Sequence, residues 1–268
     1  MTVPVAMIPY TNMAPYRQLG APRGCRFVPL VPRASIEALL TGKVAAAAVP
    51  VGGLAALEGV VEMVGRFGIA AEGESMSVLF FSRVPFDDMR SPRTIRITGE
   101  SASSVRLLYL LLGQVHGFSR LPHIAADGQV PDGELLIGDR ALVKGQTAGD
   151  SKPLFVSDLS RQWFDLHRLP FVFARWVVRR DASESIKSSI SSWLDEFKVR
   201  EPSLVEQAIP EAAATLDLAP AIIRRYFQVI RRSLDERDIL GQQLFFRQVE
   251  KLGQRPLFQT ATNVDAPG

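Results

Sequence analysis

The sequence contains a single cysteine, Cys25, so the chain cannot form an internal disulfide. That usage is typical of proteins in a reducing compartment, and we expect a cytoplasmic location. The three histidines, His116, His123 and His167, are widely spaced, and no cysteine or histidine cluster has the spacing of a metal site. The glycine-rich motifs that bind nucleotides and the G-x-S-x-G motif of serine hydrolases are also missing. We therefore expect neither a metal nor a cofactor.

Long hydrophobic runs are missing as well. Residues 1–10 contain neither a basic stretch nor a long apolar one, so no secretory signal is predicted. The longest apolar run, at 44–57, is interrupted by Pro50, Gly52 and Gly53, and it is too short to cross a bilayer. We expect no membrane contact.

The charge of the chain is modest and not concentrated in one block. The net charge is +3, and 22% of the residues are charged, which is ordinary for a globular protein with a buried core. Two arginine pairs, Arg224-Arg225 and Arg231-Arg232, fall on a predicted helix whose other face is apolar, so we interpret them as a solvated face. A nucleic-acid partner is therefore not expected.

The most informative stretch that is present is a short apolar run, Leu135 to Ile137, that stops at Gly138-Asp139. Such a run is typical of a buried parallel strand whose carboxyl end opens onto a crevice. Ligands of open α/β sheets bind outside strand ends of this kind. The sequence thus predicts one wall of a ligand site at this point.

Strands and helices alternate along the first two-thirds of the chain. The pattern predicts strands at 3–9, 44–49, 77–82, 93–98, 135–138 and 171–178, and helices at 35–42, 101–112 and 157–166. Beyond these it predicts only helices, at 185–199, 220–234 and 235–252. This alternation indicates an α/β protein with a parallel or mixed sheet.

Two long extended runs, at 79–84 and 171–178, enclose a segment that forms an α/β unit of its own. Two strands that leave and re-enter a first lobe make a hinge, with a pocket at the interface between the lobes. We place lobe 1 at 1–84 and 176–268, and lobe 2 at 85–175. This is the plan of the two-lobed type II periplasmic-binding-protein fold, with a cleft between the lobes.

Several motifs resemble those of one family, in the same order. Tyr10-Thr-Asn12-Met-Ala-Pro15 resembles its Y-x-N-x-x-P box, and Leu135 to Leu142 resembles its LLIGD.AL segment. Residues 75–82 and 158–174 are similar to its SV.L.S strand and its DL…W…LPFVFA.W segment. The family comprises the menaquinone-biosynthesis enzymes of the futalosine route, chorismate dehydratase and its sister dihydroxynaphthoate synthase. The chain departs from the family pattern at Ala45, where aspartate is usual, and at Arg168, where glycine is usual.

The resemblance implies a cofactor-free lyase. Chorismate dehydratase eliminates water from chorismate, a small dianion, to give 3-[(1-carboxyvinyl)oxy]benzoate. The family also implies that the enolpyruvyl carboxylate of the substrate itself takes the ring proton. The alternatives are the sister synthase and a non-catalytic cytosolic protein of the same fold that binds a small anion. The sequence leaves a homodimer open.

Candidate site residues lie after strand ends and at a helix start. Asn12 can donate from its carboxamide without adding a charge, and the Ser77 hydroxyl can reach the pocket from its strand, so we assign both as catalytic. A helix N-terminus rich in hydroxyls attracts an anion. The predicted substrate-binding residues are Tyr10, Thr11, Gly53, Ser101, Ser103, Ser104 and Asp139.

Each of these residues also has a purely structural interpretation. Asn12 and the serines are common as helix caps and in turns. The hydroxyl of Ser77 can be satisfied within its strand. Asp139 cannot face the carboxylates of a dianion favourably, so it is interpreted as an acceptor for a hydroxyl, a former of the next turn or a partner that orients Arg140.

Overall fold

A computed structural model describes residues 2–97, 99, 102–147, 154–253 and 257–259 of the chain. Its strands are β1 (Val3–Met7), β2 (Cys25–Pro29), β3 (Ala46–Pro50), β4 (Val61–Ala71), β5 (Val78–Ser82), β6 (Thr94–Arg96), β7 (His123–Ile124), β8 (Gly133–Ile137), β9 (Phe155–Asp158), β10 (Phe171–Arg179) and β11 (Ile230–Ser233). Its α-helices are α1 (Ala14–Leu19), α2 (Pro32–Leu40), α3 (Ala102–His116), α4 (Gly138–Thr147), α5 (Leu159–His167), α6 (Glu184–Leu216), α7 (Pro220–Val229) and α8 (Glu236–Leu252). Short 3₁₀ helices occupy Thr11–Met13, Val51–Leu57 and Phe86–Asp88.

The strands form two mixed sheets. The first has the order β11-β4-β10-β3-β1-β2, in which β1 runs parallel to β2 and β3, whereas β10 runs antiparallel to β3 and β4. The second has the order β7-β6-β8-β5-β9, in which β6 runs parallel to β7 and β8, and β5 runs antiparallel to β8 and β9. The expected mixed α/β architecture is confirmed.

Alternation along β3 shows how one strand serves two cores. Ala46 and Ala48 pack into the core beneath α1, α6 and α7, while Ala47 and Val49 pack against α2 and the helix Val51–Leu57. Successive side chains of a strand point to opposite faces of its sheet. A strand made of small and apolar residues can therefore be buried on both sides, as all five residues of β3 are.

Some predicted elements differ from those observed. The helix predicted to begin at Ser35 begins at Pro32, whose missing N–H costs nothing in a first turn, and the Ser35 hydroxyl donates to Val31 O within it. The helix predicted at 185–199 continues to Leu216, and β2, β4, β7 and β9 were not predicted.

The prediction that only helices follow residue 178 is wrong at β11. The helix predicted at 220–234 stops at Val229, because the next residues pair antiparallel with the outer edge of β4. Arg231 and Arg232 therefore lie on a strand and not on a solvated helix face. None of the helices in the described part of the chain is both long enough and apolar enough to cross a membrane.

The chain changes sheets in two short segments. Strand β5 belongs wholly to the second sheet and β10 wholly to the first, so the changes fall within 72–77 and 159–170. The predicted lobe boundaries, after residue 84 and before residue 176, do not coincide with these segments. The reason is that neither extended run crosses between the sheets: β5 lies entirely in the second sheet and β10 lies entirely in the first. The division into lobes stays a prediction.

Asp158 connects the two segments that change sheets. Its carboxylate accepts hydrogen bonds from the backbone N–H groups of Ser75 and Met76, at 2.7 and 2.8 Å. It also accepts from the N–H groups of Ser160 and Arg161, so it caps α5. One partly buried side chain thus fixes the residues just before Ser77 and the start of α5.

Three contacts join the sheets around the ends of their strands. The Thr11 N–H donates to Asp139 Oδ1 at 2.9 Å, which links the segment after β1 to the start of α4. The Ser103 hydroxyl accepts from the Gly52 N–H at 2.9 Å and donates to Phe173 O at 3.1 Å. That carbonyl is available because the pairing of β10 with β4 shifts register at this residue, as in a β-bulge.

We predict that Asp158→Ala destabilises the fold. The substitution leaves several buried N–H groups without an acceptor, each at a cost of about 1–3 kcal/mol, and removes a helix cap worth about 1 kcal/mol. The free energy of unfolding in urea should fall by about 3 kcal/mol. Asp165→Ala, on the exposed side of the same helix, is the control and should change it by less than about 0.5 kcal/mol. Equal losses in the two variants would contradict this role of Asp158.

A second prediction concerns the pH dependence of stability. Burial raises the pKa of the Asp139 carboxyl, although the Thr11 N–H and Arg17 oppose the shift. The folded chain then holds this proton more tightly than the unfolded chain. The stability that the proton contributes is therefore lost as the pH rises from the ordinary pKa of 3.8 through the higher folded value.

Asp139→Asn keeps an oxygen for the Thr11 N–H and removes the titration. We expect the unfolding free energy of the wild type, minus that of the variant, to decrease as the pH rises above 3.8 and then to level off. Urea unfolding of both proteins across this range measures the difference. A difference that grows with pH would mean that the fold favours the charged carboxylate.

Candidate functional site

A cavity of about 60 Å³ lies where the two sheets meet. Its walls come from the ends of β1, β3 and β8, from the start of β5, from the bulged part of β10 and from the first turn of α3. The polar side chains in the wall belong to Tyr10, Asn12, Ser77 and Ser104, and the remaining lining is apolar apart from Gly138. Four of the predicted site residues therefore surround one cavity.

Asn12 lies in the 3₁₀ helix that follows β1. Its Oδ1 atom is buried and has no hydrogen-bond partner within the described residues. An unpaired buried carbonyl oxygen is costly and uncommon, so such an atom needs a specific explanation. Because Asn12 lines the cavity, a hydroxyl or amide donor of a ligand in the cavity would satisfy it.

Side chains of the protein hydrogen-bond to the backbone just before Asn12 and at Asn12 itself. Arg17 Nη1 donates to Ile8 O and Tyr10 O, at 3.3 and 3.1 Å. Arg232 Nε donates to Asn12 O at 3.2 Å. These contacts and the bond from Thr11 N–H to Asp139 fix the backbone of the turn, while the Asn12 Oδ1 atom stays unpaired within the described residues.

Ser77 lies directly before β5 and is buried. Its hydroxyl makes a long hydrogen bond of 3.4 Å to Ser75 O, so it keeps capacity for a stronger partner. Tyr226 of α7 is fully buried near it, and burial raises the pKa of the Tyr226 phenol, an effect that Ser77 and Arg232 reduce and Asp139 increases. Sequence reasoning missed Tyr226, since its helical spacing matched the apolar face of α7.

The other predicted residues occupy different places. Ser104 lines the cavity, and the hydroxyl of Ser103 donates and accepts within the protein. Gly53 packs against Ile36, away from the cavity lining, and Thr11 and Asp139 bond to each other. Ser101 lies outside the described residues. Their roles in binding stay predictions.

The conformation of Gly138 explains why the apolar run of β8 stops at Gly138-Asp139. Its φ is +63°, a conformation that favours glycine, and a Cβ atom there would lie 3.0 Å from the ring of Tyr10. Strand β8 ends at this residue and α4 begins with it. The glycine thus lets the aromatic ring of one sheet's loop contact the strand end of the other sheet.

The cavity wall carries no formal charge among the residues that the structure describes. Two cations lie directly behind it, Arg17 and Arg232, through their bonds to backbone carbonyls of the Tyr10–Asn12 turn. Arg232 has an exposed fraction of only 1%, so the interpretation of the Arg231-Arg232 pair as solvated is wrong for this residue. No local signal in the sequence could have found it, because residues 230–233 continue the helical periodicity of α7 and become a strand only by pairing with β4.

The other arginines and the candidate metal ligands add little to the site. Arg224 and Arg225 form ion pairs on the surface of α7, as expected of a solvated face. Arg140 is exposed, and Arg106 donates to Ala102 O within α3. Within the described ranges, no group of three histidine, cysteine, aspartate or glutamate side chains could hold a metal ion.

Solved structures with a similar fold include several binding proteins. A protein of Archaeoglobus fulgidus matches with a TM-score of 0.72 at 15% identity, covering 94% of this chain and 98% of that one. The alkanesulfonate-binding protein of Xanthomonas axonopodis pv. citri matches with a TM-score of 0.64 at 14% identity, covering 92% and 93% of the two chains. A Candida albicans protein described as having the generic periplasmic binding protein fold matches with a TM-score of 0.58 at 13% identity, covering 100% and 99%. These likenesses confirm the predicted fold.

The sequence comparisons identify the family. The chorismate dehydratase of Thermus thermophilus is 28% identical to this chain over 251 residues, which cover 88% of this chain and 91% of that protein. A family model described as menaquinone biosynthesis matches residues 3–251. Because the match spans most of the sequence, this chain belongs to the menaquinone-biosynthesis family.

Proposed function

We propose that the chain is a chorismate dehydratase, which eliminates water from chorismate to give 3-[(1-carboxyvinyl)oxy]benzoate. The observation that carries the proposal is the buried and unpaired Oδ1 atom of Asn12 in a cavity that Ser77 and Ser104 also line. The family and the 28% identity to a dehydratase support it.

The reaction breaks one C–H bond and one C–O bond of the ring. The proton leaves the ring carbon, the electron pair of the C–H bond enters the ring, and the hydroxyl departs as water once it is protonated. Because the product ring is aromatic, the driving force is large, and the enzyme must mainly position the reacting groups. In this proposal Asn12 and Ser77 hold the departing hydroxyl.

The neutral wall of the cavity fits a base that comes from the substrate. Within the described part of the chain, no carboxylate, histidine or lysine lines the cavity to act as a general base. The enolpyruvyl carboxylate of chorismate is positioned to accept the ring proton and then to pass it to the leaving hydroxyl. The cations behind the wall, Arg17 and Arg232, favour the binding of an anion.

The cleft must open to admit the substrate. The cavity of about 60 Å³ is much smaller than the roughly 300–1,000 Å³ of typical small-molecule sites. The connections between the sheets fall within 72–77 and, beyond α5, within 168–170, and a rotation there would separate Tyr10 from Gly138. We therefore include an opening step before binding and a closing step that excludes water.

The test is turnover of chorismate by the purified, EDTA-treated protein, followed by mass spectrometry. We expect the loss of one water from the substrate. Asn12→Ala and Ser77→Ala should each lower kcat/KM by about 10²–10³-fold, as the removal of one positioned hydrogen-bonding group does elsewhere. Ser82→Ala is the matched control, since its hydroxyl is buried on β5 but donates to Val84 O.

Three results would contradict the proposal. The first is no loss of water where the Thermus enzyme is active. The second is chorismate binding, seen by calorimetry, without turnover, which would indicate a binding protein. The third is turnover of the larger nucleoside-derived substrate of the sister synthase instead. An effect of Ser82→Ala as large as that of Ser77→Ala would remove the assigned role of Ser77.

A further inference from the structure

Arg232 is a buried cation whose bonds converge on the turn that carries Asn12. Its Nη1 atom donates to Glu201 Oε1 at 3.1 Å and to the carbonyls of Phe227 and Ile230. Its Nε atom donates to Asn12 O at 3.2 Å. Its Nη2 atom is buried and lacks a partner within the described residues.

A guanidinium in such a place is expensive to bury. Moving a charge out of water costs several kcal/mol, and one partly exposed carboxylate, that of Glu201, offsets only part of this cost. An apolar residue in the position of Arg232 would avoid the cost altogether. The burial of a charge behind a neutral cavity therefore needs a reason beyond stability.

The geometry of Arg232 suggests that reason. Its planar fork spans from β11 and the end of α7 to the carbonyl of Asn12, so the turn after β1 is held at a fixed distance from α7. Arg17 holds the preceding carbonyls, and Asp139 holds the Thr11 N–H. Arg232 thus hydrogen-bonds directly to the backbone of Asn12, whose side chain faces the cavity.

We propose that Arg232 is a positioning residue that orients Asn12 through the backbone carbonyl of that residue, and that its positive charge, which Glu201 only partly offsets, helps the cavity to hold an anion. The catalytic part of this inference rests on the proposed dehydratase function. The positioning part rests only on the contacts of Arg232 and is tested separately.

The first experiment measures activity. Arg232→Lys keeps the charge but loses the planar fork, so it cannot contact Glu201, Ile230 O and Asn12 O together. We expect kcat for chorismate to fall by about 10²-fold, as when a reacting group is misplaced by about 1 Å. In an Asn12→Ala background the same substitution should cost less than about 3-fold, because the group that Arg232 positions is already gone.

The matched control is Arg175→Lys. Arg175 is also buried in the first sheet, and it donates to Phe67 O, Gly65 O and Gln242 Oε1, all away from the Asn12 turn. We expect it to lower the melting temperature about as much as Arg232→Lys does and to leave kcat unchanged. If Arg232→Lys does not fold, Arg232→Met combined with Glu201→Gln replaces it, since the pair leaves no buried charge unpaired.

The second experiment observes Asn12 directly and does not need turnover. The chain contains two asparagines, Asn12 and Asn263, so labelling asparagine with ¹³C and ¹⁵N gives two sets of signals in an NMR spectrum. We expect Arg232→Lys to shift the carbonyl and side-chain amide signals of Asn12 and to leave those of Asn263 in place. Arg175→Lys should shift neither set.

The outcomes separate the two hypotheses. If the wild type does not dehydrate chorismate but the Asn12 signals shift in Arg232→Lys, the proposed function is wrong and the positioning role stands. If the Asn12 signals stay in place, or if the effects of Arg232→Lys and Asn12→Ala on kcat multiply, the positioning role is overturned. A fall in kcat of the same size in Arg175→Lys would also overturn it.

Discussion

The turn from Ile8 to Asn12 sets the main physical constraint on this molecule. It passes between two sheets, where several of its peptide groups are partly buried, and the protein supplies partners for them. One partner, Arg17, comes from α1, which follows the turn directly, and the other two come from distant parts of the chain: Asp139 of α4 and Arg232 of β11. The site can therefore form only when both sheets and the C-terminal strand are in place.

The same constraint explains why the cavity wall is neutral. Charges that satisfy the backbone of the turn stay behind it, and the side chains in front are amide, hydroxyl or apolar groups. An anion in the cavity meets donors at short range and positive charge at longer range. Such an arrangement suits the dianion of the proposed reaction, because the described wall offers neither a carboxylate nor an amine that could react with it.

The sequence predicted those parts of the fold that depend on local patterns. The strands β1, β3, β5, β8 and β10 follow from apolar runs, and Asn12, Ser77 and Ser104 could be selected because they adjoin strand ends or a helix start. The prediction of β11 failed because Ile230–Ser233 continues the helical periodicity of α7, and only the free edge of β4 makes it a strand. No local pattern distinguishes a buried arginine from a solvated one, which is why Arg232 was misinterpreted.

The contacts of Asp158 would limit how the two predicted lobes of this chain can move relative to each other. Two separate connections between lobes would allow bending, twisting and sliding in many combinations. Here one carboxylate ties the residues before Ser77 to the first turn of α5, so both connections share a single anchor. A rotation between the predicted lobes would then follow one dominant axis.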